Sequence, residues 1–442
     1  VRKTTKANLQ FFVFFIGIIL LFTSVSKAGE APEVFSLEKT IRTAVSNNIG
    51  MLKAKEKINA ATAKKNASRA NFLPTFNATY QYRHNYEEIS NRLLGVTTPE
   101  DEYVFAASVT QPLFAGFSIV NSYKLAGLGL DAADLNEKIV RLDIVYIASK
   151  AYFSVLKAVK IKNVLEDTVT LLLSHENVAK SFYEVGMTPL NDLLKSQVEL
   201  ANSRQDLTTA RNNLEIAKAD FNNILRRDVN ASVDLEDILD YIPLANELSY
   251  YLDLAEKNRL EIQMAALEIQ MAEKEAALAK KDYFPTVTLS GTRYQRGTDW
   301  DVDGGNGISD PNSWNISAVA SWNFWEWGKT CYGEKEKKSQ IAQARLNKDA
   351  VIDKIRVEVK QSFLKTKEAE SNIITVRKAI EQAKENLRIS QERYKEQIST
   401  STDVLDAQTL LSRTMTNYYN ALYDFKISRA SLSRALSMEI VE

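Results

Sequence analysis

Cysteine is nearly absent from this chain of 442 residues: Cys331 stands alone, which excludes a disulfide framework and any cysteine-based metal cluster. Histidine is almost as rare. His84 and His175 lie far apart, so histidine-rich metal sites and most Ser/His triads are excluded as well, and the sequence is a poor candidate for an enzyme. Charge of one sign is missing too, because 56 basic side chains cancel 56 acidic ones, and there is no electrostatic case for nucleic acid. Glycine (15) and proline (8) are both scarce. That argues against a loop-rich or all-β protein and for long uninterrupted helices.

Long apolar runs are also lacking, except near the start. Arg2, Lys3 and Lys6 precede an apolar stretch from Phe11 to Phe22, followed by the small-x-small triplet Ser26-Lys27-Ala28. Charged, apolar and cleavage regions in that order read as a secretory signal peptide over residues 1–28. The run is short for a spanning helix, and no later stretch is long enough for one. No cysteine follows the run, which excludes a bacterial lipid anchor.

What is present is a long internal repeat. Shifting the sequence by 211 residues places Leu37 on Leu248, Ala44 on Ala255, Asn47 on Asn258, Tyr183 on Tyr394, Asp192 on Asp403 and Gln197 on Gln408. Phe72-Leu73-Pro74-Thr75 falls on Tyr283-Phe284-Pro285-Thr286 under the same shift. The chain therefore reads as two similar halves, 29–227 and 248–442, joined by a linker over 228–247. Units this long do not suggest a solenoid of short repeats.

Each half opens with a helix rich in Ala, Lys and Glu, over 37–71 and 248–282, stopped by Pro74 or Pro285. The period then changes to two. Phe76, Ala78, Tyr80 and Tyr82 alternate with Asn77, Thr79, Gln81 and Arg83; Trp314, Ile316, Ala318, Ala320 and Trp322 alternate with polar neighbours. The strands predicted are 73–84, 103–114, 286–296 and 313–325. Segments of about ten residues, apolar on one face and aromatic near the ends, match transmembrane barrels. A soluble sheet packed on a core alternates in the same way. Very long helices follow over 118–183 and 329–396, each on the order of 100 Å. Return helices run over 189–226 and 402–436, with apolar spacing suited to antiparallel coiled-coil packing.

Four strands cannot span a membrane alone, because their edges would leave unsatisfied backbone groups in lipid. Two copies would make an eight-stranded barrel filled by side chains; three would make twelve strands with room for a channel.

These residues resemble the TolC family of outer-membrane efflux proteins over nearly all of the mature chain. The resemblance is carried by the duplicated helix–Pro–strand unit and by the phrases Gln111-Pro112-Leu113-Phe114-Ala115-Gly116 and Trp322-Asn323-Phe324-Trp325-Glu326-Trp327-Gly328. It is also carried by the turn phrases Tyr183 to Gln197 and Tyr394 to Gln408. The resemblance implies a mainly α protein with a small transmembrane β part: a homotrimer whose long antiparallel helices form an α-barrel in the periplasm, below a shared twelve-stranded β-barrel with four strands per protomer in outer-membrane lipid. It implies a periplasmic membrane-fusion adaptor and an inner-membrane pump of RND, ABC or MFS type as partners, no nucleic acid, no cofactor and no chemistry. The periplasmic constriction or gate would involve Asp192, Tyr394, Asp403 and Asp406, with Asp403 and Asp406 lining the entrance as carboxylate rings that attract cations. Val185, Gly186, Met187, Ser399 and Thr400 would form the adaptor-contact tip. The chain departs from the family where Ser399 takes the place of an arginine latch, and Lys195 stands where Asp406 stands in the other half.

Plainer readings compete. Thr188-Pro189 looks like an N-cap followed by proline, and Ser or Thr at 399–402 could cap the other return helix, with the aspartates serving the helix dipole. Asp299, Asp301, Asp303, Gly304 and Asp310 have EF-hand spacing, but strand-like flanks make an acidic barrel loop an equal account. Cys331 reads as a small packed residue. An exported coiled-coil scaffold or adhesin without a pore is the alternative function.

Overall fold

The computed structural model describes residues 34–439 apart from 92, 94, 239–241 and 309. The signal segment 1–28 lies outside the described residues. In chain order the elements are β1 (Val34–Phe35), α1 (Leu37–Asn47), α2 (Ile49–Ala70), β2 (Thr75–His84), β3 (Ile89–Asn91), β4 (Gly95–Thr98), β5 (Asp101–Ala115), α3 (Ser118–Glu184) and α4 (Leu190–Leu225). The second half supplies β6 (Asp234–Leu235), α5 (Leu248–Asn258), α6 (Leu260–Ala279), a 3-10 turn (Lys281–Tyr283), β7 (Thr286–Gly297), β8 (Asn312–Ser321), α7 (Lys329–Lys395) and α8 (Ser401–Ala435). The helices α3 and α7 have 67 residues each, and both their starts and their ends lie 211 residues apart.

The opening helix of each half is broken, where the sequence reads as continuous. Asn48 and Arg259 adopt extended backbone with ψ of 135° and 118°. Asn48 caps α2 by accepting from the Gly50 N–H at 2.7 Å, which satisfies a donor that the break would otherwise orphan. The last strand is also shorter than the alternation suggests. β8 stops at Ser321, and residues 322–327 carry Trp322, Phe324, Trp325 and Trp327 exposed beneath the sheet.

The strands form one antiparallel sheet in the order β2-β5-β7-β8, so the two halves meet at β5 and β7. Register places Ala78, Ala107, Arg293 and Trp314 in one row, and Phe76, Val109, Gly291 and Ile316 in the next, all on one face. Asn77, Ser108, Thr292 and Asn315 share the other. The first face is apolar apart from a few positions, the second polar. Pro112, which has no N–H to donate, sits at a register shift between Pro112 and Phe114. Among the described residues no strand covers the outer edges of β2 and β8. Among the described residues no helix is long and apolar enough to cross a membrane.

The main core lies where α1, α3, α4 and α8 converge on the linker. Phe35, Tyr152, Phe221, Leu225 and Tyr423 are fully or almost fully buried there. β1 pairs in parallel with β6, Tyr152 Oη donates to the Glu236 carbonyl at 2.5 Å, and Tyr423 Oη donates to Asp237 at 3.1 Å. The second half is tied in by Arg259, only 5% exposed at the α5–α6 break. Its guanidinium donates to Glu261 and Glu358, each at 2.7 Å, and to the Arg434 carbonyl at 3.2 Å. Arg434 reaches Asp143 at 2.5 Å and Glu261 at 2.8 Å. The two cations hold the Glu261 carboxyl below its ordinary range against the opposing effect of burial.

Replacing Arg259 with Ala therefore unties α6, α7 and α8 at one point. The expected cost is about 2–3 kcal/mol, read as a lower melting temperature of the detergent-extracted protein; an unchanged transition would mean that the network is replaced by water.

Candidate functional site at the helical tip

The far end of the helices is built from two turns that close in the same way. After α3, the Gly186 N–H donates to the Tyr183 carbonyl at 2.9 Å and the Met187 N–H to Phe182 at 2.8 Å. After α7, Gln397 donates to Tyr394 at 3.0 Å and Ile398 to Arg393 at 2.8 Å. Both are Schellman turns, which need a left-handed residue just past the helix. Gly186 supplies it at φ 76°, and Gln397 at φ 60° despite its side chain. Val185, Met187 and Ile398 project from these turns 57–68% exposed.

The return helices start differently. Thr400 caps α8: its backbone N–H and hydroxyl donate to the Asp403 carboxylate at 2.9 and 3.0 Å, and its hydroxyl accepts from the Asp403 N–H at 3.3 Å. This reciprocal capping box holds the Asp403 carboxyl below its ordinary range, the backbone bond being the main cause. Thr188 does not cap α4. Pro189 occupies that position without a side-chain bond, because its ring fixes extended backbone ahead of Leu190. The Thr188 hydroxyl and its repeat counterpart, Ser399, are buried without partners among the described residues.

Asp192 and Tyr394 are brought together, joined by a residue that the sequence reading did not select. His175 on α3 is 8% exposed, and its Nε2 lies 2.8 Å from Ser401 Oγ, at the first position of α8. Its ring packs at a tilt of 53° against Tyr394 with centroids 5.0 Å apart, and Tyr394 in turn meets Phe182 at 5.6 Å. Burial holds the imidazole below its ordinary pKa, opposed by the Asp192 charge. Burial, reinforced by Asp192, raises the Tyr394 phenol, with a small opposing effect from Ser401. Asp403 and Asp406 are both exposed, on the outward side of the same helix. Lys195 reaches across from α4 to the Thr402 hydroxyl at 3.1 Å.

A signal for His175 existed. Val164, Thr168, Leu172, His175 and Ala179 are the buried positions of α3 here, spaced by fours and a three. A histidine on such a seam interrupts an apolar stripe, where a polar residue fixes register or switches it.

Two other motifs resolve plainly. The loop of Asp299, Asp301, Asp303, Gly304 and Asp310 connects β7 to β8, with no flanking helices. No group of three or more His, Cys, Asp or Glu able to hold a metal occurs among the described residues. Cys331 is exposed rather than packed, since the first turns of α7 have no helix over that side.

The chain matches the family described as outer membrane efflux protein over residues 40–225 and 251–437. It belongs to that family. The two matched segments begin 211 residues apart, the same offset that relates α3 to α7. Outer membrane protein TolC of Escherichia coli (strain K12) is 22% identical over 438 residues, covering 95% of this chain and 85% of TolC. Outer membrane efflux protein BepC of Brucella suis biovar 1 (strain 1330) is 22% identical over 346 residues, covering 76% of this chain and 74% of BepC. The Campylobacter jejuni CmeC outer membrane channel shares the fold at a TM-score of 0.78 and 17% identity, covering 91% of this chain and 85% of CmeC. The open-state Neisseria gonorrhoeae MtrE outer membrane channel shares it at 0.74 and 18% identity, covering 91% and 89%.

The left-handed turn residues give a direct test of the tip. Gln397→Gly should stabilise the protein by about 1 kcal/mol, and Gly186→Ala should destabilise it by about 1 kcal/mol. An added Cβ at Gly186 meets nothing within 4 Å, so only backbone strain is read. Denaturation midpoints that do not move in these opposite directions would rule out the Schellman geometry.

Proposed function

We propose that this outer membrane efflux protein is the passive outer-membrane channel of a tripartite efflux or type I secretion system. Three copies join their sheets edge to edge into a twelve-stranded barrel in lipid, and their α3–α4 and α7–α8 hairpins form a tube through the periplasm. The observation that carries the reading is the sheet itself: one apolar face, one polar face and two open edges. Backbone groups at such edges cannot remain in hydrocarbon unpaired, whereas a ring of identical copies pairs all of them. The polar face then lines the lumen. The family match leaves no support for an exported adhesin without a pore.

The tip reading follows from the same assembly. Val185, Gly186, Met187, Ser399 and Thr400 are offered to a periplasmic adaptor, behind which an inner-membrane pump supplies the cargo. Asp403 and Asp406 are exposed near the start of α8, where three copies would repeat them around an entrance. Capping and pore lining are compatible for Asp403, because a capping carboxylate keeps its charge. Asp192 and Tyr394 sit behind them, in the contact between hairpins. The chain's work is conduction, with no catalytic step.

The test is extraction of a detergent-requiring trimer from outer-membrane fractions, followed by conductance in planar bilayers. A stable soluble monomer or dimer would defeat the proposal. Within the channel, Asp403→Ala with Asp406→Ala should weaken block by polyvalent cations applied from the helical side; unchanged block would remove both residues from the constriction.

A further inference from the structure

We propose that His175 is the positioning residue that holds the two hairpins of each protomer together at the entrance, and that it does so only while its imidazole is neutral. The proposal rests on the channel reading above. Both polar and aromatic contacts of the ring go from the first hairpin to the second: the 2.8 Å bond to Ser401 at the start of α8, and the tilted ring contact with Tyr394 in the last turns of α7. An outward swing of α7–α8 separates the ring from both. The latch stands close to Ser399, where the family resemblance expects an arginine that this chain lacks.

The charges around the ring decide the effect of protonation. From α4 comes Asp192, which favours the imidazolium without hydrogen-bonding the ring. From α7 come Lys395 and the neutral Tyr394, which line a cavity of about 160 Å³ with His175. From α8 comes the Ser401 hydroxyl, while Asp403, the first acid of that helix, is turned back onto Thr400. On α3 itself, Glu176 is engaged by Gln197 at 3.2 Å and Lys180 is exposed. Protonation does not break the bond to Ser401, since an imidazolium can still donate to the hydroxyl. It places a cation in a buried contact where the Asp192 charge offsets the loss of hydration only in part, which is costly unless the contact opens to water.

The sign follows. Once the hairpins part, the imidazole faces water and titrates near 6.5. In the closed arrangement burial favours the neutral ring, so closure is fully stable above about pH 6.5 and weakens as pH falls below it. A difference of one pKa unit between the two arrangements changes their ratio about tenfold per protomer. An acidified periplasm thus biases this entrance towards opening before any adaptor engages.

The assembled full-length channel tests this in planar bilayers at pH 7.5 and 5.5. Open probability of the unaltered protein should rise about three- to tenfold on acidification. His175→Gln, which can still donate to Ser401 but cannot charge, should stay flat. Ser401→Ala should open more readily at pH 7.5 and keep its acid response. A His175→Gln channel that follows the unaltered pH profile overturns the latch. Absence of conductance at either pH in every variant defeats the channel reading instead, and hydrogen exchange then judges the latch alone. Amides of 172–179 and 401–408 should exchange faster at pH 5.5, after correction for intrinsic rates, in the unaltered protein and not in His175→Gln. Equal behaviour overturns the proposal.

Discussion

An antiparallel sheet with two open edges and one apolar face cannot persist by itself in hydrocarbon. Each unpaired N–H or C=O at the rims of β2 and β8 would cost several kcal/mol in lipid. The constraint acts beyond the sheet. Because α2, α3, α6 and α7 follow or precede the strands closely, closing the strands into the proposed ring would also fix where the helices stand around the same axis. In that assembly the tube and its tip follow from backbone hydrogen bonding at the other end of the molecule. Helix packing decides only how closely the rods approach.

Duplication explains how one solution serves two halves with different chemistry. Left-handed backbone recurs at Gly116 and Trp327, Phe117 and Gly328, Gly186 and Gln397, and Arg226 and Ser437, each pair 211 residues apart. The geometry of the strand-to-helix corner and of the helix ends was kept while the side chains changed. Among these eight positions only Gly116 is dictated by close backbone, since a Cβ there would meet the Lys281 carbonyl oxygen at 2.3 Å. Elsewhere the second half tolerates about 1 kcal/mol of strain per site. It carries Trp327 beneath the sheet and Gln397 at the tip, where side-chain identity bears on membrane or partner.

This separation explains which parts of the molecule were legible in its sequence. Long helices without proline, strands alternating at period two and a constant offset are signals repeated many times, so α3, α7 and the four long strands stand out. The breaks at Asn48 and Arg259 do not, because neither residue stops a helix on its own; a local cap on the Gly50 N–H at Asn48, and tertiary bonds donated by Arg259 to Glu358 and the Arg434 carbonyl, make the extended conformation favourable. Ending β8 at Ser321 is equally invisible, since Trp322 and Phe324 continue the alternation after the hydrogen bonds stop. At the tip, composition identified the acids and the turn but weighted histidine by its rarity. Its place on the α3 seam was the informative feature.

If the tip is the entrance of the proposed channel, a neutral contact suits it better than an ionic one. An exposed ion pair contributes roughly 0–1 kcal/mol and weakens with salt, so it closes poorly in a compartment of variable ionic strength. A fully buried pair closes well but leaves an uncompensated charge when it parts, which makes opening expensive. A histidine–serine bond beside a packed tyrosine lies between these cases. It excludes water while closed, and each partner is solvated without penalty once apart. Asp403 is satisfied within α8 by its capping box, whereas the bond of exposed Lys195 to Thr402 crosses between the hairpins and is exchanged for water when they part. In the proposed channel the hairpins then separate without burying an unpaired charge, and the energy that holds the entrance shut rests on a few neutral groups whose protonation state the compartment sets.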